Sequence, residues 1–414
     1  MSTITSPVTS TERIVLLDVL RGLAIFGILM VNMQIFYRPV SLMLAGYPGF
    51  ISIADTIAEI LIKFFFEGKF YVIFSMLFGY GFWLFINKPG HEGKSIIPVF
   101  RRRAFFLLIF GILHVVLLWA GDILVFYALF GFLLIAFRRK SGRSLIKWAI
   151  WLILIPIIIS SLGVLMTVLA SMDPEAKTAV DASLQERATF MESMIVKASA
   201  VYSTGSFTEI VSIRLREYQL LLPGILFFYP MVFAMFLTGV WAAKKEIIRN
   251  YQDHLPFFRK TFRIALITGL IANTIYTYSY FQTSAAMADI YSVLYSAGHI
   301  IGGISFGIAY ISGIVLLVNR GKLKGFGSLM SPVGRMALTN YLMHSIICTT
   351  LFLSYGFGLF SQITAWQGVL LTIVIFGIQI YYSKVWLKYF DYGPFEWLWR
   401  SLTYGRLMKF RKSR

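Results

Sequence analysis

Three side chains that hydrocarbon tolerates poorly lie inside the apolar segment 14–37, namely Asp18, Arg21 and Asn32. A charged side chain near the centre of a bilayer costs roughly 3 kcal/mol or more, so such residues usually face a partner or a hydrated cavity. Asp18 and Arg21 are three residues apart, and Asn32 follows about three helical turns later. The spacing predicts an ion pair and one inward stripe that binds substrate, with Arg21 as a fork for phosphate or carboxylate. Two structural alternatives stay open. In the first, the ion pair anchors this end of the helix at the membrane interface. In the second, Asn32 forms a hydrogen bond to a neighbouring helix.

A histidine and an aspartate, His114 and Asp122, lie in the run RRRAFFLLIFGILHVVLLWAGDILVFYALFGF. Histidine exchanges a proton near neutral pH, and one inside a membrane segment indicates a functional site. In a straight helix this spacing separates the two residues by about 12 Å along the axis, so they would border one cavity without touching. We predict catalytic roles, with His114 as general base and Asp122 orienting the acceptor or the histidine. The alternative is a neutral histidine whose only role is to form hydrogen bonds in the protein core.

A third polar group opens the segment SPVGRMALTNYLMHSIICTT, residues 331–350. Helical spacing places Asn340 with His344, and Tyr341 with Ser345, on adjoining faces. We predict that Asn340 and His344 bind substrate. The sequence has no phosphate-binding loop, zinc-protease motif or nucleophile elbow, and its five histidines and one cysteine show no metal-ligand spacing. No metal cofactor is expected.

The composition indicates an integral membrane protein, because 58% of the 414 residues are hydrophobic and only 14% are charged. The net charge of +19 does not indicate nucleic-acid binding, since the bases lie in loops between apolar runs that the lipid bilayer would surround. All the basic loops fall on one side if both termini are cytoplasmic. The prediction is an all-α, multi-pass membrane helix bundle of about ten transmembrane helices. The predicted spans are 14–37, 68–87, 104–121, 122–137, 148–170, 219–242, 264–282, 291–318, 337–358 and 366–386.

Two segments are predicted not to span the membrane. Residues 51–67 carry polar side chains at four-residue spacing, which is typical of an amphipathic helix lying on the outer interface. Residues 171–218 form a polar extracytoplasmic excursion with helical stretches. The predicted domains are an N-terminal membrane bundle, 1–170, this excursion, 171–218, and a C-terminal membrane bundle, 219–414. Whether the chain forms a homo-oligomer is left open.

Four ordered stretches resemble the YeiB-like family of bacterial membrane proteins: RIVLLDVLRGLAIFGILMVN, FYVIFSMLFGYGF, RRRAFFLLIFGILHVVLLWAGDILVFYAL and the closing pieces GRMALTNYLMHS and GPFEWLWRSLTYG. The closing pieces resemble its characteristic C-terminal domain of unknown function. The opening stretch is also similar to the first helix of the transmembrane acyltransferase superfamily, with Asp18, Arg21 and Gly22 at the matching positions. Those enzymes carry a catalytic histidine just after that helix. Residues 34–90 contain none, and His114 is the histidine placed to substitute.

The resemblance implies a multi-pass protein of the bacterial cytoplasmic membrane that passes an acyl group from cytoplasmic acyl-CoA to an acceptor at the outer face. The acceptor would be a glycan or lipid of the cell envelope. In this hypothesis Arg21 and Arg101 to Arg103 hold the phosphates of the donor, and Asn32 donates to the developing oxyanion. The alternative hypothesis is a transporter or permease for a small solute that uses the same intramembrane charges.

Overall fold

The computed structural model describes residues 14–46, 52–87, 96–226, 228–282 and 289–412. Within these ranges the regular structure is helical and no β-strand forms, which confirms the predicted all-α class. The α-helices are α1 Val15–Phe36, α2 Val40–Ala45, α3 Ile53–Leu61, α4 Phe70–Ile86, α5 Ile97–Leu117, α6 Leu124–Phe137, α7 Gly142–Ala170, α8 Pro174–Thr204, α9 Phe207–Leu221, α10 Tyr229–Lys244, α11 Leu255–Gln282, α12 Ile290–Asn319, α13 Lys324–Arg335, α14 Ala337–Phe352, α15 Ala365–Tyr389 and α16 Pro394–Tyr404. A π-helix, Ile62–Phe66, joins α3 to α4, and a 3₁₀-helix, Leu222–Leu226, follows α9.

Several of these helices have the length and apolar composition that crossing a membrane requires. In the part of the chain that the structure describes, five helical stretches meet both conditions: Val15–Phe36, Ile53–Ile86, Gly142–Ala170, Ile290–Asn319 and Ala365–Tyr389. A broken pair, Phe207–Gly224 with Tyr229–Lys244, meets them only if it is counted as one span. The membrane-helix character is confirmed. Fewer spans than the predicted ten meet the conditions, because other predicted spans fold as helices that are shorter or that carry charges at one end.

Helix α1 packs closely against α13, and two glycines permit the approach. A Cβ atom added at Gly22 would lie 2.1 Å from the carbonyl oxygen of Met330, and one added at Gly334 would lie 1.8 Å from that of Asp18. Small residues let helix backbones approach in this way inside a membrane. The paired glycines therefore fix the position of the first turns of α1, with Asp18, relative to α13.

The variant Gly334→Ala is expected to lower the free energy of unfolding by about 1–3 kcal/mol, the usual effect of overpacking a close contact. The matched control is Gly163→Ala in α7, where an added Cβ meets no atom within 4 Å. That control should be neutral or slightly stabilising, because alanine favours helix over glycine. Thermal melting of the two purified variants, followed by far-ultraviolet circular dichroism, checks the prediction. Equal melting temperatures would contradict the backbone contact.

Residues 52–67 of the predicted amphipathic helix are described by the structure, and residue 51 lies outside the described residues. They continue into α4 through the π-helix as one run, Ile53–Ile86. Glu59 and Lys63 on this run are buried, whereas Ile53 and Ile57 are 81% and 52% exposed. The predicted two-faced pattern is confirmed, and the placement on the outer interface stays a prediction. The polar face packs into the protein, where its charged groups find partners, and the apolar face is exposed.

The polar excursion, 171–218, folds as helices, as predicted. Asp173 accepts hydrogen bonds from the first backbone N–H groups of α8, and Ser206 with Glu209 forms a capping box on α9. Helix α9 contacts α5 through Arg214, a buried residue whose Nη1 donates to the carbonyl oxygen of Val116 at 2.7 Å. The excursion therefore packs against the end of α5 that carries the predicted catalytic histidine.

Candidate active site

The two predicted catalytic residues are in direct contact. The Nδ1 atom of His114 lies 2.8 Å from Oδ2 of Asp122, and both side chains are fully buried. The prediction that they border a cavity without touching is wrong, because α5 ends at Leu117. The backbone N–H groups of Leu118 and Trp119 both donate to the carbonyl oxygen of His114 at 2.9 Å, which marks the end of the helix. The chain then reverses direction, which places the carboxylate of Asp122 in contact with the imidazole of His114.

A serine from the C-terminal half completes the arrangement. Ser345 Oγ on α14 lies 2.7 Å from Nε2 of His114, and Ser345 is 1% exposed. When the carboxylate of Asp122 is ionised it only accepts hydrogen bonds, and in that form Nδ1 of His114 carries the proton toward Asp122 while Nε2 accepts from the serine hydroxyl. We call Asp122, His114 and Ser345 the triad. It has the order of roles that activates a serine nucleophile, which is recognised by geometry and not by sequence position.

Neighbouring groups hold the triad in place. The backbone N–H of Val125, in the first turn of α6, donates to Oδ1 of Asp122 at 2.8 Å. The ring of Tyr341 packs against His114 with centroids 5.2 Å apart, and its hydroxyl accepts from the backbone N–H of Ile123 at 3.4 Å. The turn 118–123 is thus tied both to the aspartate and to α14. Such supports are what fix a catalytic group in one orientation.

A small pocket lies next to the triad without including it. Trp119, Thr349, Arg214 and Glu217 are among its lining residues, whereas His114, Asp122 and Ser345 are not. Thr349 lies one helical turn beyond Ser345 on the same face of α14. The ring of Trp119 lies 6.4 Å from that of His114, edge to face. We call this space the triad cavity.

Two buried donors of the triad cavity lack a hydrogen-bond partner among the residues that the structure describes. They are Nε1 of Trp119 and Nη2 of Arg214. Glu217, by contrast, accepts from the hydroxyl of Tyr202 at 2.8 Å and from the backbone N–H and hydroxyl of Ser41 at 3.1 and 3.2 Å. A buried donor without a partner costs free energy, so each such group calls for an explanation. A ligand with an acceptor oxygen in the cavity would supply that partner.

The predicted substrate-binding residues Asn340 and His344 lie in a packed polar network between α14 and α15. Nε2 of His344 is 2.8 Å from Oε1 of Gln379, whose Nε2 donates to the carbonyl oxygen of Asn340 at 3.0 Å. Nδ2 of Asn340 in turn donates to Ser383 Oγ at 3.0 Å. Neither Asn340 nor His344 lines the triad cavity. Their hydrogen bonds join two helices, a role that polar side chains often take inside membranes.

The predicted ion pair on α1 is present, with Nη1 of Arg21 3.0 Å from Oδ1 of Asp18. The side chain of Asp18 is 3% exposed and that of Arg21 is 30% exposed, so the guanidinium reaches toward the surface. Asn32 is half-buried on α1, one turn before Phe36, whose ring stacks on Trp119 with centroids 4.3 Å apart. Asn32 itself does not line the triad cavity. Convergence of the predicted stripe on the triad stays a prediction.

Arg21 does belong to a second group, which we call the basic cluster: Arg21, Arg102, Arg103 and Arg400. The guanidinium of Arg103 lies 3.6 Å from the ring centroid of Trp399, and the indole N–H of Trp399 donates to the carbonyl oxygen of Arg103 at 2.9 Å. Arg21 and Arg400 are near enough to repel its charge. Nε of Arg102 donates to the carbonyl oxygen of Thr403. Guanidinium groups that lie close together can donate charge-assisted hydrogen bonds to the oxygens of a phosphate.

The described residues contain no cluster of three His, Cys, Asp or Glu side chains that could bind a metal ion.

Ser345 is the member of the triad that the sequence did not assign to a catalytic role. It is separated from His114 by 231 residues, so only the folded chain brings them together. The local signal was its place on the same helix face as Tyr341, which also reaches the histidine.

Comparison with known proteins places the chain in a family. Residues 242–406 match the family described as "Protein of unknown function (DUF418)". The chain is 34% identical to the "Uncharacterized protein YxaH" of Bacillus subtilis (strain 168), over 96% of each protein. It is 30% identical to the "Uncharacterized 39.9 kDa protein in amylase 3'region" of Bacillus acidopullulyticus, over 97% of this chain and 96% of that protein. It is 29% identical to the "Uncharacterized protein YeiB" of Escherichia coli (strain K12), over 95% of this chain and 96% of that protein. The chain therefore belongs to the YeiB-like, DUF418 family of bacterial proteins.

Proposed function

We propose that the protein is a membrane-embedded acyltransferase of the bacterial cytoplasmic membrane, with about ten spans and both termini in the cytoplasm. It moves an acyl group from cytoplasmic acyl-CoA to a glycan or lipid of the cell envelope. The observation that carries the proposal is the triad: a buried carboxylate, imidazole and hydroxyl joined by hydrogen bonds of 2.8 and 2.7 Å. Acyl transfer is the reaction class that such an arrangement serves on unrelated folds.

In the first step Ser345 Oγ attacks the carbonyl carbon of the thioester, and its proton passes to Nε2 of His114. The carbon–sulfur bond then breaks, and the thiol leaves with the proton that His114 returns. In the second step the hydroxyl or amine of the acceptor attacks the serine ester and gives its proton to His114. The bond from the carbonyl carbon to Oγ breaks, and Ser345 recovers a proton. Asp122 holds the imidazole in the tautomer that both steps need.

The negative charge that develops on the carbonyl oxygen in each step needs a donor. Asn32 was predicted for this role and is half-buried on α1. Trp119 is the better candidate, because its ring packs edge to face on His114 and its buried Nε1 has no hydrogen-bond partner among the described residues. We assign the role of oxyanion donor to the indole N–H of Trp119, since a fixed donor in a water-poor site strongly stabilises negative charge on the carbonyl oxygen.

The basic cluster is the proposed site for the phosphates of the donor. Arg103 and His114 belong to the same helix, α5, and eleven residues separate them. This corresponds to about 16 Å along the helix axis. A donor anchored at the cluster must therefore carry its acyl group on a long, thin arm to reach the triad. The phosphopantetheine arm of coenzyme A has that chemistry, whereas a compact acyl phosphate does not.

The variant His114→Ala tests this function in the purified full-length protein. We expect its turnover of acyl-CoA, by hydrolysis or transfer, to fall to background, because neither step then has a proton acceptor. His254→Ala, in the loop before α11, is the control and should keep wild-type turnover. Wild-type turnover in His114→Ala would remove the triad from the mechanism.

The alternative function, a transporter or permease for a small solute, is supported by the other buried charges of the chain, among them Glu59, Lys63 and Lys69. Intramembrane ionisable groups often mark the path of a substrate or proton. Uptake of a solute into proteoliposomes without any acyl donor would favour this function. Uptake that persists in His114→Ala would separate the path from the triad.

A further inference from the structure

A second cleft, apart from the triad, lies where the C-terminal end of α1 meets α2 and the helical run that begins at α3. Its charged lining consists of two ion pairs. Nη1 of Arg38 lies 3.1 Å from Oε1 of Glu59, and Nζ of Lys63 lies 2.6 Å from Oε2 of Glu67. We call these four residues, with Gln34, the charged cleft. Its fixed charges are two positive and two negative.

The charged cleft also has an unsatisfied donor. Gln34 lines it, and Oε1 of Gln34 accepts from the hydroxyl of Tyr37 at 2.7 Å. Its Nε2 is buried and has no hydrogen-bond partner among the residues that the structure describes. Within a hydrophobic surrounding such a group is costly unless a ligand or water completes it. The amide is therefore one point at which a ligand with acceptor oxygens would gain a hydrogen bond.

The remaining walls of the cleft are apolar except for Tyr280, whose ring centroid lies 4.0 Å from Nζ of Lys63. They include Val31, Ile35, Leu42, Met43 and Ile62, and Met43 is 46% exposed at the surface. The neighbouring face of α3 also presents apolar side chains outward. The cleft thus offers charged groups at its depth and hydrocarbon contacts toward its mouth. A ligand that matches both is an amphiphile with a charged headgroup.

The local backbone holds two of the charges. Lys63 lies within the π-helix Ile62–Phe66, and Glu67 follows it directly. A π-helical turn is rare, is less favourable than an α-helical one and is frequent at functional sites. Here it lets α3 and α4 form one run while Lys63 and Glu67 both line the cleft. The ion pair alone would not need this turn, since a regular helix also brings residues four apart together.

We propose that the charged cleft binds a zwitterionic amphiphile whose headgroup joins a phosphate to a primary ammonium. The phosphate oxygens accept hydrogen bonds from the guanidinium of Arg38 and from Nε2 of Gln34. The ammonium donates hydrogen bonds to the carboxylates of Glu59 and Glu67. The hydrocarbon chains lie along Ile35 and Met43. The balance of charge favours this class over a simple anion, because the two carboxylates would repel a ligand that carries negative charge alone.

The test measures binding to the full-length protein in a polyoxyethylene detergent, independently of any acyl transfer. The probes are a short-chain phosphatidylethanolamine, a phosphatidylglycerol of the same chain length, and glycerophosphoethanolamine, which has the headgroup without chains. We expect saturable binding of the first and at least tenfold weaker binding of the other two. Equal binding of the phosphatidylglycerol would show that phosphate alone is recognised, and equal binding of the chainless headgroup would show a soluble ligand. Either result would overturn the proposal, as would displacement of the lipid by a maltoside.

Variants separate binding from folding. Arg38→Gln should weaken the binding of phosphatidylethanolamine at least tenfold, while Arg249→Gln should not change it, because Arg249 forms a comparable but exposed pair with Glu246. The double variant Arg38→Glu with Glu59→Arg restores an opposite-charge pair and is expected to melt within a few degrees of the wild type. It should still bind poorly, because the phosphate then meets a carboxylate. Wild-type affinity in Arg38→Gln or in the exchanged pair would overturn the proposal.

Discussion

Replacing Ser345 with alanine should reduce acyl-CoA turnover by about 10³-fold or more, because removing one member of a hydroxyl–imidazole–carboxylate unit removes the function of the whole. The hydroxyl is the group that attacks the thioester in our mechanism, and no other hydroxyl contacts His114 in the described part of the chain. The effect should fall on kcat, since Ser345 lies far from the basic cluster that holds the donor. Steady-state kinetics of the purified variant, with donor and acceptor varied separately, check this expectation.

Two comparisons make that result specific. Ser328→Ala, on the exposed surface of α13, should leave kcat unchanged. Asp122→Asn keeps the size of the side chain but no longer fixes the tautomer of His114, so kcat should fall by a similar order. A Ser345→Ala protein that transfers acyl groups at the wild-type rate would show that the acceptor attacks the thioester directly. The covalent step would then be wrong.

Replacing Arg103 with alanine should raise KM for the acyl donor by roughly 10–100-fold, which corresponds to the loss of a charge-assisted contact of about 1.5–3 kcal/mol. The guanidinium of Arg103 lies over the ring of Trp399, 3.6 Å from its centroid, and this contact limits the positions that it can take. Because this contact is made equally in the ground state and the transition state, kcat should stay within a factor of a few. Donor KM measured at low ionic strength is the relevant observable, because salt screens such contacts.

The same position offers a graded test. Arg103→Lys keeps the charge but loses the planar fork and much of the stacking, so its KM should lie between those of the wild type and the alanine variant. Arg249→Ala, which removes an exposed arginine elsewhere, should not alter donor KM. An unchanged KM in Arg103→Ala would mean that the donor phosphates bind at another place.

What the sequence predicted well was local. The pair of Asp18 and Arg21 depends only on a three-residue spacing in a helix, and apolar length alone identified α1, α7, α12 and α15 as candidate membrane spans. The polar excursion was predicted from its composition. Each of these features is decided within one or two helical turns or by the average character of one segment.

What the sequence missed depends on tertiary contacts. The contact between His114 and Asp122 requires α5 to end at Leu117, and no proline or polar residue between His114 and Trp119 indicates that end. Ser345 joins the triad only because the folded chain places α14 beside His114, 231 residues away in sequence. The four-residue spacing of charges in α3 showed that one face is polar, but a periodic pattern does not tell which face meets lipid.

The central claim, that Ser345 carries the acyl group, is tested most directly by trapping the intermediate. The purified protein would be mixed with radiolabelled acyl-CoA in the absence of acceptor, quenched in acid within milliseconds and cleaved for peptide mass spectrometry. The account predicts the added mass of one acyl group on the peptide that contains Ser345, and no label in Ser345→Ala or His114→Ala. No label on Ser345 at any time, in a protein that transfers the acyl group rapidly once an acceptor is added, would contradict it.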